Sequence, residues 1–79
     1  MSLKANVKPL ALLDEGSEGI VVDVIGGRGA MRNLLALGIV PGIKIKVLGN
    51  RGGTLLVLIN GSKFVIGRGL AMKVIVHAK

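Results

Sequence analysis

Residues 55–66 read LLVLINGSKFVI, and this stretch contains two runs of strand-forming residues joined by Asn60-Gly61. Asn-Gly is the strongest short-range signal for a two-residue hairpin turn, because both residues tolerate a positive φ. A two-residue turn fixes the strand pairing as Ile59 with Ser62, Val57 with Phe64 and Leu55 with Ile66. The apolar members of these pairs are therefore predicted to face the core, with Leu56, Leu58 and Val65 together on the opposite face.

The segment before this hairpin, residues 37–47, reads LGIVPGIKIKV and contains a helix stop, a turn and a strand. Gly38 follows the helical pattern of residues 28–37, at the position where a left-handed residue ends a helix in a Schellman motif. Pro41-Gly42 is typical of a type II turn. In the helix itself, Met31 is predicted to pack in the core.

The other segments complete a small β fold. The pattern predicts strands at residues 20–25, 43–47 and 72–77, a turn at residues 8–19 that docks Leu10 and Leu13 on the core, a loose turn at residues 49–53 and one helical turn at residues 67–71. In the first strand Ile20, Val22 and Val24 share one face, and Val21 is predicted to point outward.

The fold class is therefore mainly β, a small SH3-like antiparallel β-barrel of about five strands with one short amphipathic helix. A chain of 79 residues has room for one core, so residues 1–79 are predicted to form a single domain.

The composition excludes several classes of protein. Of the 79 residues, 51% are hydrophobic, only Phe64 is aromatic and none is cysteine. A sequence without cysteine cannot form a disulfide scaffold, a cysteine-rich zinc site or a thiol nucleophile, and it is consistent with a reducing cytoplasm. The longest apolar run, residues 55–59, is far shorter than the roughly 20 residues that a membrane-spanning helix needs.

Charge is distributed unevenly along a chain whose formal net charge is +7. All four acidic residues lie within residues 1–23, whereas residues 24–79 contain nine of the eleven basic residues. A segment without carboxylates presents a positive field to a nucleic acid, an anionic membrane surface or an acidic protein. The alternative is that these basic residues only keep an apolar chain in solution.

No enzyme motif is present in the sequence. There is no GxxxxGK[ST] phosphate-binding loop, and Gly27-Arg28-Gly29 does not continue into a dinucleotide-binding motif, because residue 32 is arginine. The single histidine, His77, lies near the end of the sequence, and Asp14, Glu15 and Glu18 surround a glycine turn. We therefore predict no catalytic activity, no cofactor and no tightly bound metal, with at most a weak association of Fe(II) or another divalent ion at His77 or the early acids.

RNA binding is an alternative function. Residues 19–29, GIVVDVIGGRG, resemble the KOW element of ribosomal and elongation-factor barrels, and the basic segment would attract phosphates. A single phenylalanine that faces the core does not provide the aromatic platform on which single-stranded bases stack. Nucleic acid is therefore the less favoured partner.

Taken in chain order, the motifs resemble the FeoA family, the small cytoplasmic ferrous iron transport protein A. The matching segments are Leu10 to Gly16, Gly19-Ile20-Val21, Gly26-Gly27, Leu34 to Ile45, Asn60-Gly61 and Ala71 to Val76. The most specific of these is the run Leu37-Gly38-Ile39-Val40-Pro41-Gly42. The resemblance implies a non-enzymatic cytoplasmic accessory or regulatory protein of ferrous iron uptake. It also implies a partner, the FeoB-type membrane permease with a cytosolic G-protein domain.

Basic residues form the first predicted partner-binding group. Arg28 and Arg32 lie four residues apart on one helix face, where like charges repel, and Arg28 also lies at the helix N-terminus, where the dipole disfavours a cation. We expect this pair, together with Lys44 and Lys46, to dock on an acidic surface of the partner. The alternative is that Asp23 or Glu18 simply pairs with one of the arginines.

Apolar residues form the second predicted group, which consists of Leu56, Leu58 and Val65. Three apolar side chains on one hairpin face exceed what a monomer usually leaves in water. We expect this face to be buried against the permease, the N-terminal segment or a second copy of the chain, so a homo-oligomer is a predicted state.

Overall fold

The computed structural model describes residues 6–78, which form one antiparallel sheet with two helices and a 3₁₀ turn. The elements are β1 (Val7–Pro9), the 3₁₀ turn (Leu10–Leu12), β2 (Glu18–Val24), α1 (Arg28–Ala36), β3 (Lys44–Arg51), β4 (Thr54–Ile59), β5 (Ser62–Ile66), α2 (Arg68–Ala71) and β6 (Val74–Ala78). The strand order in the sheet is β1-β6-β2-β3-β4-β5. The prediction of a mainly β, SH3-like fold with one short amphipathic helix is confirmed.

The β4–β5 hairpin has the register that its turn predicts. Ile59 lies opposite Ser62, Val57 opposite Phe64 and Leu55 opposite Ile66. Asn60 has a φ of 51° and Gly61 a φ of 82°, and two consecutive positive values are those of a type I′ turn.

The end of α1 is the predicted Schellman motif. The N–H of Ile39 donates to the carbonyl of Leu34 at 2.9 Å, and the N–H of Gly38 donates to that of Leu35 at 2.9 Å. Gly38 has a φ of 82°, which an L-residue adopts only with strain. Pro41-Gly42 then reverses the chain, and the N–H of Ile43 closes this turn on the carbonyl of Val40 at 3.2 Å.

The core is aliphatic. Within residues 6–78 every buried hydrophobic side chain belongs to one cluster, and no polar or charged side chain is buried. Leu10 and Leu13 join this cluster from the 3₁₀ turn and its C-cap, as the sequence predicts. In the part of the chain that the structure describes, no helix is long and apolar enough to cross a membrane.

The structure contains a sixth strand, β1, in a segment that the sequence predicts as part of a turn. This strand has three residues, and among residues 6–78 it pairs only with β6. Pro9 has no N–H, and a proline in a strand is tolerated at a sheet edge. So short a segment has no detectable alternation of apolar and polar residues, which explains why the pattern misses it.

The predicted faces of β2 are wrong. Val21, expected to point outward, is 1% exposed, whereas Val22 is 45% exposed. The pairing of β2 with β6 shifts between Val21 and Asp23, so Val22 is the extra residue of a β-bulge. A bulge interrupts the strict alternation of side chains on which the prediction depends.

The turn at residues 49–53 is tighter than predicted. Arg51 pairs with Thr54, so only Gly52 and Gly53 form the connection between β3 and β4. Both glycines have a positive φ, which is the pattern of a type I′ hairpin turn.

Candidate functional site

Helix α1 reaches the core through one buried side chain, Leu34. Met31 and Leu35 are 51% and 62% exposed, so the prediction that Met31 packs in the core is wrong. An α-helix turns by about 100° per residue, which places Met31 about 60° and Leu35 about 100° around the helix from Leu34. A nine-residue helix on a small sheet buries only a narrow arc, and these two side chains lie outside it.

Met31 and Leu35 line an open cavity of about 210 Å³ between α1 and the segment that follows it. We call this surface the α1 groove and define its apolar lining as Val24, Met31, Leu35, Ile39, Val40 and Pro41. The Schellman motif and the Pro41-Gly42 turn fix the path of the second wall, because their hydrogen bonds set the direction in which the chain leaves the helix. The groove is therefore held open by local backbone structure.

Two charged side chains, Asp23 and Arg32, complete the lining of the α1 groove. The Asp23 carboxylate accepts a hydrogen bond from the backbone N–H of Val24 at 2.8 Å, and within residues 6–78 neither Arg28 nor Arg32 is hydrogen-bonded to it. Glu18, the other proposed partner of the arginines, lies in the sheet opposite Lys46. Within residues 6–78, the expected pairing of Asp23 with one of the arginines is therefore not seen.

The arginine pair lies beside the apolar pair on the helix surface. At about 100° per residue, Leu35 is about 20° around the helix from Arg28 and about 60° from Arg32. Helix α1 has Gly27 as its N-cap residue, which provides no side-chain cap, and it has no acidic residue in its first turn. This side of α1 therefore combines two exposed apolar side chains with two cations, of which Arg28 lies at the positive end of the helix dipole.

The two lysines of the predicted site lie on another surface. Lys44 and Lys46 line a shallow cavity of about 400 Å³ together with Leu58, Glu18, Asn60 and Gly61. Because Glu18 pairs directly across from Lys46, this surface contains charges of both signs.

The other apolar residues of the predicted site lie on the same outer face as the lysines, because Lys46 is opposite Leu58 and Leu56 is two positions before Leu58 on β4. Leu56 and Val65 are paired across β4 and β5 and are 38% and 71% exposed. They line a cavity of about 370 Å³ that also includes Glu15 and Arg51. The seven predicted partner-binding residues therefore lie on two surfaces, with the two arginines on α1 and the other five on the outer face of strands β3, β4 and β5.

The apolar lining of the α1 groove is the part of the candidate site that the sequence analysis missed. The helix pattern carries no signal for it, since Met31, Leu34 and Leu35 span an arc of about 100°, which is the ordinary width of a stripe that faces a core.

The residues considered for a metal ion or a nucleic acid are far from forming one cluster in the described part of the chain. In the described part of the chain, no three His, Asp or Glu side chains come together as a metal-binding group. His77 lies in β6 opposite Val7 and Ile20. Phe64 is half-buried and packs against the core, so it offers no platform for stacking bases.

A single antiparallel sheet of this order, with one helix between β2 and β3, defines a small SH3-like domain. The family model described as the FeoA domain matches residues 8–78, and the chain belongs to the FeoA family. The chain is 47% identical over 69 residues to a curated protein of Methanocaldococcus jannaschii named as an Fe(2+) transport protein A, and the match covers 87% of this chain and 84% of that protein. Membership of this family associates the chain with ferrous iron transport.

Solved structures agree with this assignment. The crystal structure of an iron uptake regulatory protein, FeoA, superposes with a TM-score of 0.88 at 38% identity and covers 92% of this chain and 99% of that one. A manganese-dependent transcriptional repressor superposes with a TM-score of 0.86 over 92% of this chain and 41% of that one. Its 21% identity shows a shared fold alone.

Proposed function

We propose that this protein is a non-enzymatic cytoplasmic accessory protein of ferrous iron uptake that binds a FeoB-type permease through the α1 groove. The observation that carries the proposal is the exposed Met31–Leu35 pair beside the Arg28–Arg32 pair. Large apolar side chains that line an open groove in a monomer mark a surface where another molecule binds. Arginines next to apolar anchors are typical of the residues that contribute most to protein–protein affinity.

The chemistry of the groove defines the part of the permease that it fits. A cavity of about 210 Å³ holds one or two aliphatic side chains. The adjacent guanidinium groups would bind carboxylates next to those side chains. The expected ligand is therefore an acidic segment with an apolar anchor on the cytosolic side of the permease.

Binding, rather than catalysis, is the activity that the groove supports. Its lining consists of aliphatic and thioether side chains, a proline, one carboxylate and one guanidinium. Such a set contains no nucleophile paired with a base. The FeoA family is a family of small accessory proteins, which agrees with this interpretation.

The apolar part of the proposal is tested by titrating the labelled protein with detergent-solubilised FeoB permease. Leu35→Glu is expected to weaken binding about tenfold or more, because it places a charge where the apolar Leu35 side chain would be buried in the complex. Leu12→Glu is the matched control, since Leu12 is 58% exposed and lies outside the groove. Unchanged affinity of the Leu35 variant would exclude the groove as the docking site.

The electrostatic part needs a separate measurement. The double variant Arg28→Glu/Arg32→Glu is expected to weaken binding and to reduce its dependence on salt concentration, because both exposed cations are lost. Lys44→Glu/Lys46→Glu removes an equal charge from the second surface and serves as the control. If the lysine variant loses as much affinity as the arginine variant, the affinity depends on the net charge of the protein and not on the arginines beside the α1 groove.

A further inference from the structure

The sheet has two edges, and they differ in how well they are protected from pairing with another chain. The strand order places β1 at one edge and β5 at the other. Strand β1 has only three residues and includes Pro9, and short edge strands with proline are poor templates for a further strand. Strand β5 has five residues, none of them proline, so it is the edge open to pairing.

The hairpin register determines which backbone groups of β5 face outward. Ile59 and Ser62 flank a two-residue turn, and the residues that flank such a turn exchange their hydrogen bonds. Hydrogen-bonded and non-hydrogen-bonded pairs alternate along an antiparallel ladder, so Ser62, Phe64 and Ile66 bond to β4. The N–H and carbonyl groups of Lys63 and Val65 therefore point away from the sheet, and within residues 6–78 none of them takes part in a turn or loop hydrogen bond.

We propose that β5 pairs antiparallel with β5 of a second copy, on a two-fold axis that passes through Phe64. In this register Lys63 of each copy lies opposite Val65 of the other, and the four outward backbone groups of each strand bond across the axis. Val65 is 71% exposed, the largest value among the large hydrophobic side chains of residues 6–78. The aliphatic stem of the facing Lys63 would cover it.

The charges of β5 favour this register over its neighbours. An axis through Lys63 would place two lysines directly opposite each other, which destabilises a strand pair. An axis through Val65 would require Gly67 opposite Lys63, but Gly67 lies outside β5 and its carbonyl already accepts a hydrogen bond from Ala71 at 3.0 Å. The axis through Phe64 avoids both conflicts, so the strand is complementary to itself.

Amide hydrogen exchange of the full chain tests the pairing without any substitution. Between about 10 µM and 1 mM, the range in which a short strand pair would associate, the amides of Lys63 and Val65 are expected to become protected as concentration rises. The Phe64 amide, which bonds to β4, serves as the internal reference. Sedimentation is expected to show a dimer that tightens with salt, because salt screens the repulsion between two chains of charge +7.

Two substitutions at one site distinguish edge pairing from packing of the apolar face. Val65→Lys would place lysines opposite Lys63 twice per dimer and is expected to weaken dimerisation about tenfold, whereas Val65→Glu would create two opposite-charge pairs and strengthen it. Leu56→Lys lies on the same face but not on the edge and is expected to have little effect. The proposal is overturned if the chain stays monomeric at about 1 mM, if both Val65 variants weaken dimerisation equally, if Leu56→Lys weakens it as much as Val65→Lys, or if salt dissociates the dimer.

Discussion

The side-chain amide of Asn50 donates a hydrogen bond to the backbone carbonyl of Leu13 at 2.7 Å, across 37 positions of sequence. The same nitrogen donates to the carbonyl of Ala11 at 3.0 Å, and the Asn50 oxygen accepts from the N–H of Gly53 at 2.9 Å. One partly buried side chain thus provides hydrogen-bond partners for two backbone carbonyls at the 3₁₀ turn and for one backbone N–H in the β3–β4 turn.

Replacing this side chain is expected to destabilise the fold. Asn50→Ala leaves two carbonyls and one N–H without partners, and each unsatisfied buried group costs about 1–3 kcal/mol, less where water can reach it. We expect the free energy of unfolding in urea to fall by about 2 kcal/mol. Asn33→Ala, on the exposed surface of α1, is the control and should change stability little. Equal stability of the two variants would mean that the Asn50 bonds contribute nothing net.

Gly53 is expected to be intolerant of a side chain for two separable reasons. Its φ of 97° strains an L-residue, and a Cβ there would lie 2.7 Å from the Cγ of Arg68. Gly53→Ala should therefore lower the melting temperature more than Gly38→Ala does. Gly38 also has a positive φ, but a Cβ at that position would have no neighbouring atom within 4 Å. Adding Arg68→Ala to Gly53→Ala should recover part of the loss. No recovery would show that backbone strain alone is responsible.

Charge reversal at the start of α1 is expected to leave the fold intact or to stabilise it. Acidic residues in a first helical turn interact favourably with the helix dipole by about 0.3–1 kcal/mol, and Arg28 occupies that turn. Thermal unfolding of Arg28→Glu/Arg32→Glu should occur at or above the temperature of the parent. An unfolded double variant would show that the arginines have a structural role in this fold.

The chain is expected to hold no stoichiometric metal after dialysis. A tight site for a borderline metal needs three or four His, Cys or carboxylate ligands, and the sequence has one histidine and four acids. Elemental analysis of dialysed protein should find well below one equivalent of iron or zinc. One equivalent that His77→Ala removes would identify a site and contradict this prediction.

Local signals account for what the sequence predicts correctly. The register from Leu55 to Ile66 follows from two residues at the turn, and the Schellman end of α1 follows from Gly38 alone. Each of these features depends on contacts between residues only a few positions apart, so a short stretch of sequence is enough to predict it.

Non-local geometry accounts for what the sequence misses. The burial of Val21 depends on a bulge that forms only where β2 meets β6, a strand about 50 positions away in sequence. The exposure of Met31 and Leu35 depends on how far α1 lies from the sheet, which the helix's own pattern does not specify. The α1 groove is visible only once the helix and the Pro41 turn are placed together.

The position of β6 between β1 and β2 affects how the fold is made on the ribosome. Strands β2 to β5 are neighbours in both sequence and space, so they can pair as synthesis proceeds. Among the strands that the structure describes, β1 pairs only with β6, so this pairing waits until residues 74–78 have emerged. Until then the nascent chain exposes the β2 edge and the core beneath it, which makes this interval the period when aggregation or chaperone capture competes with folding.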